Sequence, residues 1–116
     1  MPFSFKQIQP TISNVPLLYP IRVLCPQGVQ TNISFPDMFM GRAIALKIRN
    51  NDGANAATYD YNLNRIFASL AASTFDTIDG AVVNYLTVIA GAAGSCLVEA
   101  QVLPLQKSEP EIEVQV

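Results

Sequence analysis

The chain has no histidine and no tryptophan, only two cysteines, and charged side chains at just 14% of its 116 positions. Each shortage removes a class of function. Without histidine no Ser-His or Cys-His pair exists to activate a nucleophile. Two thiols without an imidazole are too few for an ordinary zinc site. Cys25 and Cys96 are likewise too few for a disulfide framework in so short a chain. They read as two buried thiols acting as small hydrophobes, with a single Cys25–Cys96 bridge as the alternative. An ordinary monomer carries about 25% charged residues, so the deficit points to surface that meets other protein. Net charge is −2, and the last ten residues, with one Lys and three Glu, account for it, leaving six of each sign elsewhere. A neutral body lacks the electrostatic footprint of nucleic-acid binding. No apolar run reaches the roughly 18 residues of a membrane span, and the N-terminus lacks the basic, apolar, small-residue order of a cleaved signal. Synthesis in a cytoplasm, with no membrane and no cofactor, is expected.

Half of the residues are hydrophobic, enough for a core, and the length suits one domain. Residues Met1 to Pro16 read as an extended arm, punctuated by Pro2, Pro10 and Pro16, with Phe3, Phe5, Ile8 and Ile12 apolar but without a helical period. From there alternation takes over. Leu17, Tyr19, Ile21, Val23 and Cys25 share a face, and Pro20 demotes that strand to an edge or a bulge. Val29, Thr31, Ile33 and Phe35 alternate with polar residues. Ile44, Leu46 and Ile48 face in and Ala45, Lys47 and Arg49 face out. Tyr59, Tyr61 and Leu63 alternate with Thr58, Asp60 and Asn62. Cys96, Val98, Ala100 and Val102 close the series. Leu63, Ile66, Phe67 and Leu70 fit helical spacing instead, so a short helix competes with a strand there. Pro26-Gln27-Gly28 reads as a turn, and Asn50-Asn51-Asp52-Gly53 and Gly91-Ala92-Ala93-Gly94 read as hairpin connections. About seven strands with turns every roughly 8–12 residues predict an all-β domain. It is expected to be a small β-sandwich or jelly-roll-like barrel over 17–105, with the arm 1–16 before it and an acidic tail 106–116 after it.

Few residues suggest chemistry. The NNDG stretch has oxygen-bearing side chains but no closing Glu before Glu99, so a turn is expected rather than a calcium loop. Asp76 and Asp79 resemble a carboxylate pair only in number; they read as a strand position and a turn. GAAGS lacks the Lys and helix of a phosphate loop. Tyr59, Tyr61 and Tyr85 offer a carbohydrate platform as the alternative function, weakened by the absence of Trp. What remains is contact surface. The expected interface residues are Phe3, Phe5 and Ile8 in the arm, Met38, Phe39 and Met40 in the PDMFMG loop, and Ile112 and Val114 in the tail. The Met38–Met40 loop either caps the sandwich or meets a partner. The tail is either free or a strand that pairs with a partner's edge.

The runs ALKIRNNDGANAATYDYNLN and STFDTIDGAVVNYLTVIAGAAGSCLVEAQVLP carry a resemblance. Their Asn/Ala-rich turns, TYDYN strand, TIDG corner and closing strand ending in Pro are similar in style to small β-sandwich virion proteins of tailed bacteriophages and related viruses. These include capsid decoration proteins and accessory head or tail proteins. The likeness spans about Ala43 to Pro104. It implies no catalysis, many copies per particle, and extended termini that lock onto neighbours. Its implied partners are other copies of the chain and a major capsid or tail protein, and its implied location is the virion.

Overall fold

Alternating side chains produce eight strands and one short helix in the computed structural model, which describes residues 17–105. The expected arm and tail, with Phe3, Phe5, Ile8, Ile112 and Val114, lie outside the described residues. The strands are β1 (Tyr19–Cys25), β2 (Gln30–Ser34), β3 (Gly41–Asn50), β4 (Ala57–Tyr61), β5 (Ala68–Leu70), β6 (Phe75–Val83), β7 (Tyr85–Ile89) and β8 (Cys96–Pro104). Helix α1 (Phe35–Phe39) joins β2 to β3. One sheet has the order β1-β8-β3-β6 and the other β2-β7-β4-β5, every pairing antiparallel. The pairs β1 with β8, β2 with β7, β3 with β6 and β4 with β5 are those of one long hairpin, folded over on itself. That is a jelly roll, so the expected all-β sandwich is the observed fold, with eight strands rather than seven.

The inward faces interlock as the alternation requires. Val98 and Val102 of β8, Ile48 of β3, Ile33 of β2 and Leu86 and Val88 of β7 are fully buried between the sheets. Truncating any of the larger ones to Ala removes about 2–5 kcal/mol of stability. Phe35, at the start of α1, is the largest fully enclosed side chain and fills the end of the core.

Several expectations change. The two predicted hairpins, NNDG and GAAG, are crossovers between sheets, because β3 and β4, and β7 and β8, lie in opposite sheets; the predicted turn at Pro26-Gln27-Gly28 is present and leads from β1 across to β2 in the other sheet. Among the described strands only β4 and β5 form a hairpin with their immediate neighbour in sequence. Of the two readings open at 63–73, the strand is present, as β5, and no helix lies there; the PDMFMG stretch, expected as a loop, instead carries the helix, where Pro36 opens it and Met40, in the left-handed region at φ 55°, ends it. Asp79-Gly80 is not a turn: Gly80, at φ 81°, sits inside β6, and the chain turns at Asn84. Ile44 falls at a bulge. Ala43 pairs with Val83 and Val102, Ala45 with Asp79 and Gln101, so Ile44 is extra against β8 while the surplus against β6 lies in β6 at residues 80–82, and Ile44 is only half-buried.

Because all pairs are antiparallel, the loops sort to two ends. At one end meet the β1–β2, β3–β4, β5–β6 and β7–β8 loops, and a buried polar knot ties three of them together. The Asn50 side-chain amide donates to the carbonyls of Asn55, Leu70 and Ala71, at 3.0 to 3.2 Å. Its oxygen accepts the Asp52 amide at 3.0 Å. Asp52 Oδ1 accepts the amides of Ala54 and Asn55, and its Oδ2 accepts the Asn55 side chain and the Ala93 amide. The fourth loop joins through Gly28 N–H to Gly91 O, at 2.8 Å. Every strong acceptor site on the Asp52 carboxylate thus faces a donor from the protein. The NNDG stretch is a structural knot rather than an exposed hairpin tip.

Two predictions follow from the knot. A Cβ on Gly94 would lie 2.5 Å from Asp52 Cα and 2.8 Å from its backbone nitrogen. Backbone has no room to yield there, so Gly94→Ala is expected to destabilise by more than the ~1 kcal/mol of a typical substitution, measured by urea unfolding. The amides, led by Ala54, pull the Asp52 carboxyl down from 3.8 to about 2, against the opposing effect of burial. A depressed folded-state pKa stabilises the fold above pH ~3.8, and that contribution is lost as pH falls toward ~2. Asp52→Asn is therefore expected to be less stable than the parent at pH 7, with the difference shrinking between pH 4 and 2. A difference independent of pH would contradict the carboxylate's role.

Candidate functional site

The other end of the sandwich is built differently. There the chain enters at β1 and leaves after β8, side by side, and the α1 connection, residues 62–67 and the Asn84 turn close the end. Backbone and side-chain bonds link these pieces in a row. Phe35 N–H donates to Asn84 O at 2.9 Å, and Asn84 N–H donates to Asn62 Oδ1 at 2.8 Å. Leu105 N–H donates to Met40 O at 2.9 Å, and the Tyr19 hydroxyl donates to Phe39 O. The termini of the described chain and α1 are therefore one connected surface.

That surface exposes large apolar side chains to solvent, interleaved with the exposed Asp37, Asn64, Arg65 and Asn84. Leu17 is 78% exposed, Met40 66% and Ile66 80%, and Leu18, Met38, Leu63, Phe67, Val82 and Leu105 are exposed as well. These are nine of the twelve large hydrophobic side chains exposed among the described residues; the other three, Leu24, Val29 and Phe75, lie toward the knotted end. Scattered exposed hydrophobics are ordinary, but a concentration at one end is not.

The 62–67 loop is also strained. Asn62, Leu63 and Arg65 have φ of 56°, 54° and 67°, a region non-glycine residues other than Asn and Asp seldom enter. Side chains hold it there. Asn62 donates to Val82 O and accepts from Asn84, while Asp60, itself buried, accepts the Arg65 amide at 3.1 Å. The result is that Leu63 and Ile66 point away from the core. Strain that displays apolar side chains is a mark of a functional surface more than of a stable loop.

Of the expected interface residues, Met38 and Met40 lie in this patch, while Phe39 packs partly against the core, with Phe35 6.0 Å away between ring centroids. Phe39 thus caps the sandwich, as one of the two readings expected, and the two methionines face solvent. Leu17, Leu18, Ile66 and Phe67 were not expected there. The apolar spacing of Leu63, Ile66, Phe67 and Leu70 was visible in sequence, but only Leu70 of the four is buried.

The remaining candidates do not assemble. Asp76 faces inward and accepts a hydrogen bond from Tyr59 OH at 2.8 Å, while Asp79 lies on the outer face of its sheet. A carboxylate pair is not formed. Tyr59 is buried, and burial, then the Asp76 contact, pushes its hydroxyl up to about 12. It is a core residue and not an exposed stacking platform. A concavity of about 400 Å³ on the outer face of the β1-β8-β3-β6 sheet is lined by Arg22, Lys47, Thr77, Asp79, Glu99 and Gln101 over Ala45, with no aromatic ring. Arg22 and Glu99 pair across it at 3.5 Å.

No protein-family model matches the chain, and no curated protein matches it. Among solved structures, the chain is similar in fold to a chain of the Bacillus endospore appendages, described as a family of disulfide-linked pili. Identity is 11%, over 78% of this chain and 92% of that one, at a TM-score of 0.46. It is also similar to a de novo designed double-stranded β-helix solved by NMR in solution, at 6% identity over 72% of this chain and 97% of that one, at a TM-score of 0.43. Likeness at this level concerns the outline of the β fold and not what this chain does.

Proposed function

We propose that the chain is a non-enzymatic structural protein that assembles through its apolar end. In this reading it is a component of a virus particle, a capsid decoration protein or head or tail accessory, as its sequence style suggests. Its partners are other copies of itself and the major capsid or tail protein of that particle. The observation that carries the reading is the gathering of exposed hydrophobics at the end where β1 begins and β8 stops. Apolar surface removed from water contributes roughly 25 cal/mol per Å² before ordering costs. An interface of ordinary size removes roughly 1,200–2,000 Å² in total. The end patch supplies one part of such an interface, and the apolar residues Phe3, Phe5 and Ile8 of the arm and Ile112 and Val114 of the tail supply the reach to a neighbour.

The test is the mass of the full chain in solution, compared with a chain lacking Met1 to Pro16. A defined oligomer that falls to monomer on truncation, with an unchanged far-ultraviolet spectrum, is expected. The same number of subunits in both forms would overturn the role of the arm. In the full chain, Met40→Asp combined with Ile66→Asp places charge on two side chains that are 66% and 80% exposed, so folding should survive. Association is expected to weaken by on the order of 100-fold, since a buried unpaired charge costs several kcal/mol.

A further inference from the structure

We propose that Cys25 and Cys96 are a site for a reversible cross-strand disulfide that locks β1 onto β8. The two residues are direct partners in the β1–β8 register. Opposed residues on antiparallel strands point to the same face, with Cα atoms roughly 4.5–5.5 Å apart. A disulfide spans Cα separations of roughly 4.4–6.8 Å, so the register already meets its requirement. Both thiols are free and wholly buried on the core side. Each has one weak competing contact: Cys25 with the Thr31 side chain, and Cys96 with Asn50 Oδ1, at 4.0 Å.

Access comes from the edge. Among the described residues β1 pairs only with β8, and Leu24, next to Cys25, is 63% exposed. Opening the last residues of β1 breaks few ladder bonds and is a low-energy local event. Burial, with the neighbouring Cys96 second, pushes the Cys25 thiol up to about 11, and burial raises that of Cys96 too. Both are therefore protonated in the closed form, and exchange waits for the edge to open. The oxidant is a small-molecule disulfide. One cysteine thiolate attacks a sulfur of that disulfide, forming a mixed disulfide and expelling one thiolate. The second cysteine's thiolate attacks the protein sulfur of that bond and expels the other. The two cysteines lose two protons and two electrons, and the small disulfide becomes two thiols.

The consequence is mechanical. Residues 1–16, expected from sequence to be an arm, precede Leu17 and β1 in the chain. A pull on them peels β1 away from β8, starting at Tyr19 and ending at Cys25, where the bond would stop it. The disulfide site does not rest on the assembly reading, since a monomer can form the bond equally well.

The experiment equilibrates the full chain in glutathione and glutathione-disulfide mixtures, quenches with acid, and reads intact mass, peptide linkage and thermal midpoint. A loss of about 2 Da, a Cys25–Cys96 peptide and no glutathione adduct are expected. The midpoint should rise by on the order of 10 °C and return on reduction, because the bond closes a long loop. Thiols that stay reduced in a mixture that oxidises the urea-unfolded chain would overturn the proposal. So would stable glutathione adducts, or a bridge that lowers the midpoint. In Cys25→Ser, no loss of mass is expected. The comparison of oxidised with reduced parent chain decides the matter even if that variant folds poorly.

Discussion

The two side chains of Asn50 and Asp52 hold the connections that make this fold possible. In a jelly roll nearly every loop crosses from one sheet to the other, so few turns are closed by the ladder of their own flanking strands. Something else must satisfy the backbone groups at the crossings. Here Asn50 donates into the β3–β4 and β5–β6 connections, and Asp52 receives amides from its own loop and from the β7–β8 loop. Gly91 and Gly94 are bare because Asp52 lies where their side chains would be. The geometry is mutual: the carboxylate needs the close approach, and the close approach needs glycine.

Satisfying one end so fully gives the molecule a direction. The knotted end has its polar groups paired with each other. The opposite end holds its loops with Asn62 and Asp60, but spends the conformations so obtained on turning Leu63 and Ile66 outward. The same end carries Met38, Met40 and the points where the chain enters and leaves. A sandwich with one closed end and one apolar end suits attachment in a fixed orientation, and that orientation is what the proposed structural role needs.

Much of the sandwich was legible in the residues. The inward faces of β1, β2 and β8, including the placement of Cys25 and Cys96 inside, follow from strict alternation. Partner choice was not legible. A turn signal such as NNDG or GAAG marks where a strand stops, but pairing between strands far apart in sequence decides where the next one goes. Strand β5 escaped because three residues are too few to alternate, and because the helical spacing around it reflects exposed Leu63, Ile66 and Phe67 rather than a buried helix face. The Ile44 bulge has no local signal either; it is visible only once β6 and β8 flank β3. Of the candidate surface, the methionines were apparent from sequence, while Leu17, Leu18 and Ile66 became candidates only when the topology brought them to one end.

The proposed assembly requires the apolar end to be where the protein meets its neighbours. Hydrogen exchange of the full chain, compared between a dilute and an assembling concentration, tests it most directly. Protection gained at residues 36–40 and 62–67, with the Asp52 end unchanged, is the predicted result. Assembly that protects the Asp52 end or the outer sheet faces and leaves those two loops exchanging as before would contradict it.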